Sequence, residues 1–218
     1  RVGLYAHAEI LVKTEVFQSP FYYEDQVKYF QFDGRSELKN NPKNIADLIY
    51  YLYQRNSNRI MVLFTSHKML NNTYHELRIK KGGKDLPVFS QGFGVSRYSI
   101  LQGMKSSPRG ILLGTNAFWE GIDLPGELLE ILIITKLPFG VPTDPVIWAY
   151  SKMLESSGRN SFMEYSVPEC IIRYRQGFGR LIRSSFDQGA FIVLDDRIIT
   201  KKYGKHFLDS IPIEPIVV

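Results

Sequence analysis

The sequence predicts an α/β fold with a mostly parallel central sheet covered by helices on both faces. Short apolar runs at 59–66, 110–114 and 189–194 are typical of strands buried on both sides, as in parallel sheets. Segments with helical periodicity lie between these runs, and this alternation favours right-handed crossover connections. At 218 residues the chain is long enough for one domain with a sizeable core.

The composition is that of an ordinary soluble globular protein, with 44% hydrophobic and 22% charged residues. A net charge of +5 favours polyanionic partners such as nucleic acid or nucleotides. One cysteine, Cys170, excludes an intrachain disulfide or a four-thiolate metal site and favours a reducing, cytoplasmic location. No apolar run is long enough to cross a bilayer, so no membrane partner is expected. The chain begins at Arg1 rather than Met, which suggests a fragment of a longer protein.

The first half of the chain divides into an N-terminal segment and a series of alternating strands and helices. Residues 1–32 are aromatic-rich and are expected to join a preceding region to the main domain, residues 33–218, and to form one domain with it. Pro42 opens a packing helix, because the fixed φ of proline suits a first helical turn. The other elements predicted here are strands at 27–32, 59–66, 86–89 and 110–114 and helices at 67–81 and 96–105.

The second half follows the same alternation. Residues 129–137 form the longest strand candidate, and a rigid proline-containing loop follows at 138–142. Asp144 and Pro145 start a helix that extends to about Ser157. A capping box, Ser166 with Glu169, is expected to begin the next helix, and a last buried strand occupies 189–194.

The most informative segment is Gln176-Gly177-Phe178-Gly179-Arg180-Leu181-Ile182-Arg183. If the helix continues through this segment, Gln176, Arg180 and Arg183 project from one face. Two guanidiniums at that spacing suit a phosphate chain, because each offers fixed donors and a permanent charge. Each of the two glycines weakens the helix by about 1 kcal/mol relative to alanine, which suggests a close approach of backbone or ligand. The alternative is a solvated helix face.

A second block, residues 114–126, follows the buried run at 110–114 and contains two carboxylates, Glu120 and Asp123. Its glycines would leave backbone donors accessible. The acids could orient arginines, hold a metal-bound water or contact a sugar hydroxyl. The alternative is a strand–loop connection whose acidic residues have no role.

The chain lacks a G-x-x-x-x-G-K-[ST] phosphate loop and an acidic quartet that would hold magnesium at the end of a strand. The candidate arginines therefore have no nucleotide cradle of their own. Either the nucleotide binds on another domain, or the phosphate hypothesis is wrong.

Together these residues resemble the second motor domain of superfamily 2 helicases, in the DinG branch of the DinG/XPD group. The resemblance extends from about Phe17 to Pro212. The segments that resemble the fourth, fifth and sixth family motifs are residues 62–66, 115–126 and 176–183. The Leu137-Pro138-Phe139 loop and the closing Asp195-Asp196-Arg197 also fit the family.

The resemblance implies a RecA-like three-layer α/β/α domain that closes on ATP together with a first RecA-like domain of the same full-length chain. That first domain, absent here, would cradle most of the ATP and its Mg²⁺. Arg180 and Arg183 would reach the γ-phosphate, and Gln176 would position the helix or a water. The other residues that the resemblance places at the nucleotide are Glu120, Gly121, Asp123 and Gly179. Those that it places on the backbone of single-stranded DNA are Thr65, Ser66, Thr115 and Asn116.

The resemblance leaves the whole protein's activity open. The chain is expected to be the motor half of an ATP-dependent DNA helicase or translocase, inactive as an ATPase by itself. Alternatively, it belongs to a DinG-type 3′–5′ exonuclease, in which the motor half regulates nuclease action without unwinding DNA. The family's iron–sulfur cluster, where present, lies in the first domain, so none is expected in this chain. A non-catalytic nucleic-acid-binding module and a free-standing nucleotide-binding protein are the remaining alternatives.

Overall fold

A computed structural model describes residues 15, 19–35, 38–55, 59–80, 82–115, 118 and 129–218. The strands in this part of the chain are β1 (Val27–Gln31), β2 (Arg59–Leu63), β3 (Val88–Ser90), β4 (Gly110–Gly114), β5 (Ile131–Ile134), β6 (Gly189–Val193) and β7 (Ile216–Val217). They form one seven-stranded sheet in the order β3-β4-β2-β5-β6-β1-β7. Every strand pair is parallel, which confirms the predicted fold class. Strand β1, which lies in the predicted N-terminal segment, is part of this sheet. The division at residue 32 stays a prediction.

Helices cover both faces of the sheet. They are α1 (Tyr23–Gln26), α2 (Pro42–Arg55), α3 (His67–Ile79), α4 (Arg97–Ser106), α5 (Pro145–Ser156), α6 (Val167–Phe178), α7 (Arg197–Thr200) and α8 (Gly204–Leu208). One buried cluster contains residues of α2 and α3, and the other contains residues of α4, α6, α7 and α8. The result is a three-layer α/β/α domain. None of the described helices is both long and apolar enough to cross a membrane.

Strand β2 shows why the sheet is parallel. Met61 and Leu63 belong to the core on the α6 side, whereas Ile60 and Val62 belong to the core on the α2 side. All four side chains are fully buried. A strand that buries apolar residues on both faces needs helices on both sides, and crossover connections supply them.

The strand predicted at 129–137 is wrong in length, because β5 contains only four residues. Leu129 and Leu137 are buried but lie outside the strand. The Leu137 N–H donates to the Asp195 carboxylate at 2.9 Å instead of to a neighbouring strand. The apolar run therefore predicted burial correctly, whereas a side-chain acceptor ends the strand early.

The predicted capping box is also wrong. Helix α6 begins close to the expected position, at Val167, but Ser166 has helical dihedral angles and forms no capping hydrogen bond. A π-helical turn, Phe162–Ser166, leads directly into α6. Because the chain is already helical before Val167, Ser166 is not a cap.

Candidate nucleotide and DNA interface

The arginine segment does not form the continuous helix that its spacing predicts, because α6 ends at Phe178. Beyond it, the Arg180 N–H donates to the Gly177 carbonyl at 3.1 Å and the Leu181 N–H donates to the Phe178 carbonyl at 3.0 Å. These bonds span three residues, so the chain tightens into turns. Leu181 and Ile182 then enter the core. Placing Gln176, Arg180 and Arg183 on one helix face is therefore wrong.

The structure places Arg180 inside the domain. Only 8% of this residue is exposed, and its Nη1 donates to the Phe118 carbonyl oxygen at 2.7 Å. Phe118 is 1% exposed and belongs to the block that follows β4. A Cβ added to Gly114 would lie 2.6 Å from the Phe118 Cβ, so this glycine permits the close approach. The fifth and sixth motif segments are thus joined by a buried, charge-assisted hydrogen bond.

Arg183 begins a tight turn before β6 and is half-buried. The Asp187 carboxylate accepts from the Arg183 N–H at 2.7 Å and from the Ser184 N–H and hydroxyl at 2.8 Å each. Burial opposes ionisation of Asp187, but these hydrogen bonds outweigh it and hold its pKa below the usual value. Gln26, just before β1, donates to the carbonyls of Ser184 and Asp187 at 2.9 Å. The turn therefore lies at the amino ends of the strands.

A groove of about 610 Å³ lies beside the end of α6. Gln176 and Gly179 line it, and both are exposed. Arg175, which sequence reasoning did not select, lines the same groove and faces the segment that contains Asp209. The groove thus combines a cation, an amide, an accessible backbone and a carboxylate.

The predicted hydroxyls at the carboxyl end of β2 line a different cleft, of about 310 Å³. Thr65 is half-buried, and exposed Ser66 accepts from the Met69 N–H at 3.4 Å as the cap of α3. Lys68 and Lys136 line the same cleft. Two cations beside two hydroxyls form a surface that suits a phosphate backbone.

Thr115 lies at the same edge but is only 4% exposed. Its backbone N–H and its hydroxyl both donate to the Gln91 side-chain oxygen at 2.8 Å. Its hydroxyl oxygen also lies 3.4 Å from the His67 Nε2. Thr115 therefore anchors the loop after β3 in this structure and does not line the cleft around Thr65.

The structure separates the candidate residues into two groups. Thr65, Ser66 and Thr115 follow strands at the carboxyl edge, whereas the turn after Arg183 lies at the amino edge. A five-residue strand spans about 17 Å, which sets the scale of this separation. Four candidates lie outside the described residues: Asn116, Glu120, Gly121 and Asp123. Among the residues that are described, no three His, Cys, Asp or Glu side chains form a potential metal cluster.

A buried ion pair closes the edge after β6. Asp195 is fully buried, and Arg197 donates to its carboxylate from Nε at 2.9 Å and from Nη2 at 2.5 Å. Lys39 lies 3.5 Å from the same carboxylate. Burial opposes ionisation of Asp195, but the hydrogen bonds from Arg197 and the Leu137 N–H hold its pKa below the usual value. The sequence indicated no role for Asp195 beyond its place in the family motif. The structure shows that it stabilises the fold.

Sequence reasoning missed Lys68, Lys136, Gln91 and Arg175. The signal for two of them was present. Lys136 lies two residues after β5 and Gln91 directly follows β3, and polar residues after parallel strands meet at one edge of the sheet. Nothing in the sequence pointed to Arg175, because only the folded chain brings it into the same groove as Asp209.

The all-parallel sheet between two layers of helices is the fold of RecA-like α/β domains. Residues 49–214 match the family of helicase C-terminal domains. The chain belongs to this family, and its sequence is similar to DinG-type proteins.

Two curated relatives are similar in sequence, and one solved structure shares the fold. The chain is 36% identical to the 3′–5′ exonuclease DinG of Bacillus subtilis over 97% of its length. It is 47% identical to the ATP-dependent DNA helicase DinG of Photobacterium profundum over 70% of its length. The chain spans only 23% and 22% of these relatives. An apo XPD structure shares the fold, with a TM-score of 0.65 at 18% identity over 88% of this chain and 40% of XPD.

Proposed function

We propose that this chain is the motor half of an ATP-dependent DNA helicase or translocase that supplies arginines to a nucleotide held by a first motor domain. The observation that carries the proposal is the hydrogen bond from Arg180 to the Phe118 carbonyl, which joins the arginine segment to the block after β4. An arginine at a γ-phosphate stabilises the charge of the transition state. The hydrogen bond between Arg180 and Phe118 supports coupling between the nucleotide and the carboxyl edge of the sheet, where DNA is proposed to bind.

The two arginines enter this proposal differently. Arg183 lies on the turn at the amino edge and acts as the principal finger. Arg180 is nearly buried, so it acts at the phosphate only after the first domain closes, or it acts by holding the segment in place. The remaining nucleotide contacts come from Gln176 and Gly179, together with Glu120, Gly121 and Asp123. ATP and Mg²⁺ are held mainly by the first domain.

Single-stranded DNA is the proposed ligand of the carboxyl edge. Thr65, Ser66 and Asn116 hydrogen-bond its backbone, and Thr115 supports the neighbouring loop. Lys68 and Lys136, which share the cleft with the first two, contribute charge. These contacts involve no base edges, so binding is independent of sequence.

DNA-stimulated ATP hydrolysis by the full-length protein tests the proposal. Arg183→Ala is expected to lower kcat by roughly 10³-fold or more, as for arginine fingers in related NTPases. Its melting temperature should fall only slightly, because the favourable charge interaction of Arg183 with Asp187 is lost. Arg180→Ala is expected to lower both kcat and the melting temperature, because it also removes a buried hydrogen bond. Arg55→Ala, on the opposite face of the sheet, is the control. Full activity in both arginine variants would exclude the finger assignment.

Salt dependence separates this function from a non-catalytic DNA-binding module. If Arg180 and Arg183 bind DNA phosphates, replacing one flattens the slope of log affinity against log salt by about one ion. If they act on the nucleotide, DNA affinity measured without nucleotide stays the same.

A second candidate function rests on the Bacillus subtilis relative, a 3′–5′ exonuclease that matches nearly the whole chain. In this alternative the motor half regulates nuclease action and does not unwind duplex. Unwinding and single-strand degradation assays on the same full-length preparation distinguish the two. Degradation without unwinding would favour the exonuclease.

A further inference from the structure

Phe93 is the only non-glycine residue with a positive φ in the part of the chain that the structure describes, at 55°. A bulky side chain rarely adopts this left-handed conformation, because its Cβ crowds the backbone. The ring is nevertheless 54% exposed, at the tip of the loop after β3. Gly92 and Gly94 on either side also have positive φ values, and a bridge between Gly92 and Val95 closes the loop. An exposed aromatic ring held in an unfavourable backbone conformation suggests a functional constraint.

The ring rests on an aromatic surface formed by α3. The Phe93 and Tyr74 ring centres are 4.7 Å apart with an interplanar angle of 38°, and His75 meets Phe93 edge-on at 6.1 Å. The Arg78 guanidinium lies 5.0 Å from the centre of the Tyr74 ring. Arg78 and Phe93 therefore both pack against the Tyr74 ring. The exposed area of Phe93 leaves room for another planar group beside it.

The loop after β3 connects Phe93 to the carboxyl edge of the sheet, the candidate DNA-binding edge. Gln91, two residues before Phe93, accepts both hydrogen bonds from Thr115. Two residues span at most about 7 Å, so Phe93 lies close to the point where Thr115 fixes the loop. Asn71 of α3 lies beneath the same loop, 3.7 Å from a Cβ placed on Gly92.

We propose that Phe93 is a base-stacking residue for single-stranded DNA that crosses the carboxyl edge of the sheet. This inference rests on the proposed function, since it assumes that the edge binds DNA. The hydroxyls and lysines near Thr65 contact the backbone, and Phe93 holds one base against its exposed side. Stacking suits a motor that moves along any sequence, because every base has an aromatic face.

The competing explanation is that Phe93 only packs the loop against α3. Phe93→Gly separates the two. Glycine adopts the positive φ without strain but loses the contact with Tyr74, and these effects oppose each other in the stability of the fold. Base stacking is simply lost. Because the two effects on stability offset each other, DNA binding decides between the explanations: a purely structural role predicts unchanged binding, whereas a stacking role predicts weaker binding.

The experiment measures binding of a fluorescent oligodeoxythymidine to the full-length protein without nucleotide, at several salt concentrations. Phe93→Gly is expected to weaken binding roughly tenfold, and Phe93→Trp to restore it. The salt slope should not change, because no phosphate contact is lost. Tyr22→Ala is the matched control, because Tyr22 is an exposed aromatic residue before β1, at the other end of the sheet. On an oligonucleotide that carries abasic sites throughout, wild type and Phe93→Gly should bind equally.

Three results would overturn the inference. If the wild-type protein binds the oligonucleotide and Phe93→Gly binds it equally well, Phe93 does not stack on DNA, while the proposed function stands. If the wild-type protein does not bind single-stranded DNA at all, the proposed function fails and this inference fails with it. A tenfold loss that persists on the abasic strand would also contradict stacking.

Discussion

Replacing Asp195 with alanine should destabilise the domain more than any replacement of a surface carboxylate. Asp195 is fully buried and accepts from Arg197 and from the Leu137 N–H, with Lys39 nearby. Its removal leaves a partly buried guanidinium and a buried N–H without their acceptor. Breaking a buried ion pair costs about 3–5 kcal/mol. For a domain of this size, each kcal/mol lowers the melting temperature by about 2–4 °C, so a decrease of roughly 6–20 °C is expected.

Calorimetry of the unfolding transition that contains this domain provides the measurement. Asp195→Asn should cost less, because the amide retains an acceptor for the Leu137 N–H. Since folding lowers the pKa of Asp195, its ionised form stabilises the fold fully above the unfolded pKa, near 3.9. That stabilisation is lost as the pH falls through the lower folded pKa, so wild type and Asp195→Asn should converge in acid. Asp85→Ala is the exposed control. An equal effect of Asp195→Ala and Asp85→Ala would refute the argument.

Two further substitutions test other buried contacts. Gly114→Ala should displace Phe118, whose Cβ would lie 2.6 Å from the new methyl group, and thereby lower both melting temperature and DNA-stimulated ATPase; unchanged values would show that the block adjusts freely. Tyr174→Phe removes the 2.8 Å hydrogen bond between the Tyr174 and Tyr29 hydroxyls and should cost about 1 kcal/mol, measured by denaturant unfolding. A variant as stable as wild type would mean that this bond contributes nothing.

The sequence predicted the sheet well, because strands that are buried on both faces appear as continuous apolar runs. Strand β4 coincides with the predicted run at 110–114, and helix α2 begins at Pro42, as predicted. The ends of β5 and α6 were not predictable in the same way. They depend on tertiary contacts that the sequence does not show. The Leu137 N–H donates to the Asp195 carboxylate, and Leu181 is buried in the core just beyond the end of α6.

The candidate site was predictable in residue type more than in position. The spacing of Arg180 and Arg183 singled out the segment that the structure joins to the Phe118 carbonyl, but helical geometry assigned this segment the wrong shape. No sequence pattern could show that Arg180 faces the Phe118 carbonyl, because that contact joins residues 62 positions apart. The same holds for Gln91 and Thr115, which are 24 positions apart.

Buried hydrogen bonds favour movement of this domain as one rigid body. The Tyr174 hydroxyl of α6 bonds to the Tyr29 hydroxyl of β1, and Tyr29 in turn donates to the Gln31 side-chain oxygen at 3.2 Å. Gln31 then donates to the Asp195 carbonyl at 3.0 Å. Burial raises the pKa of Tyr29 to about 12, and the bond from Tyr174 lowers it only in part, so the phenol stays protonated at neutral pH. Helix α6 is thus tied to β1 and to the end of β6. Under the proposed function, a force on the arginine segment would therefore move the candidate DNA-binding edge with it, and the change of shape on nucleotide binding would fall between this domain and the first motor domain.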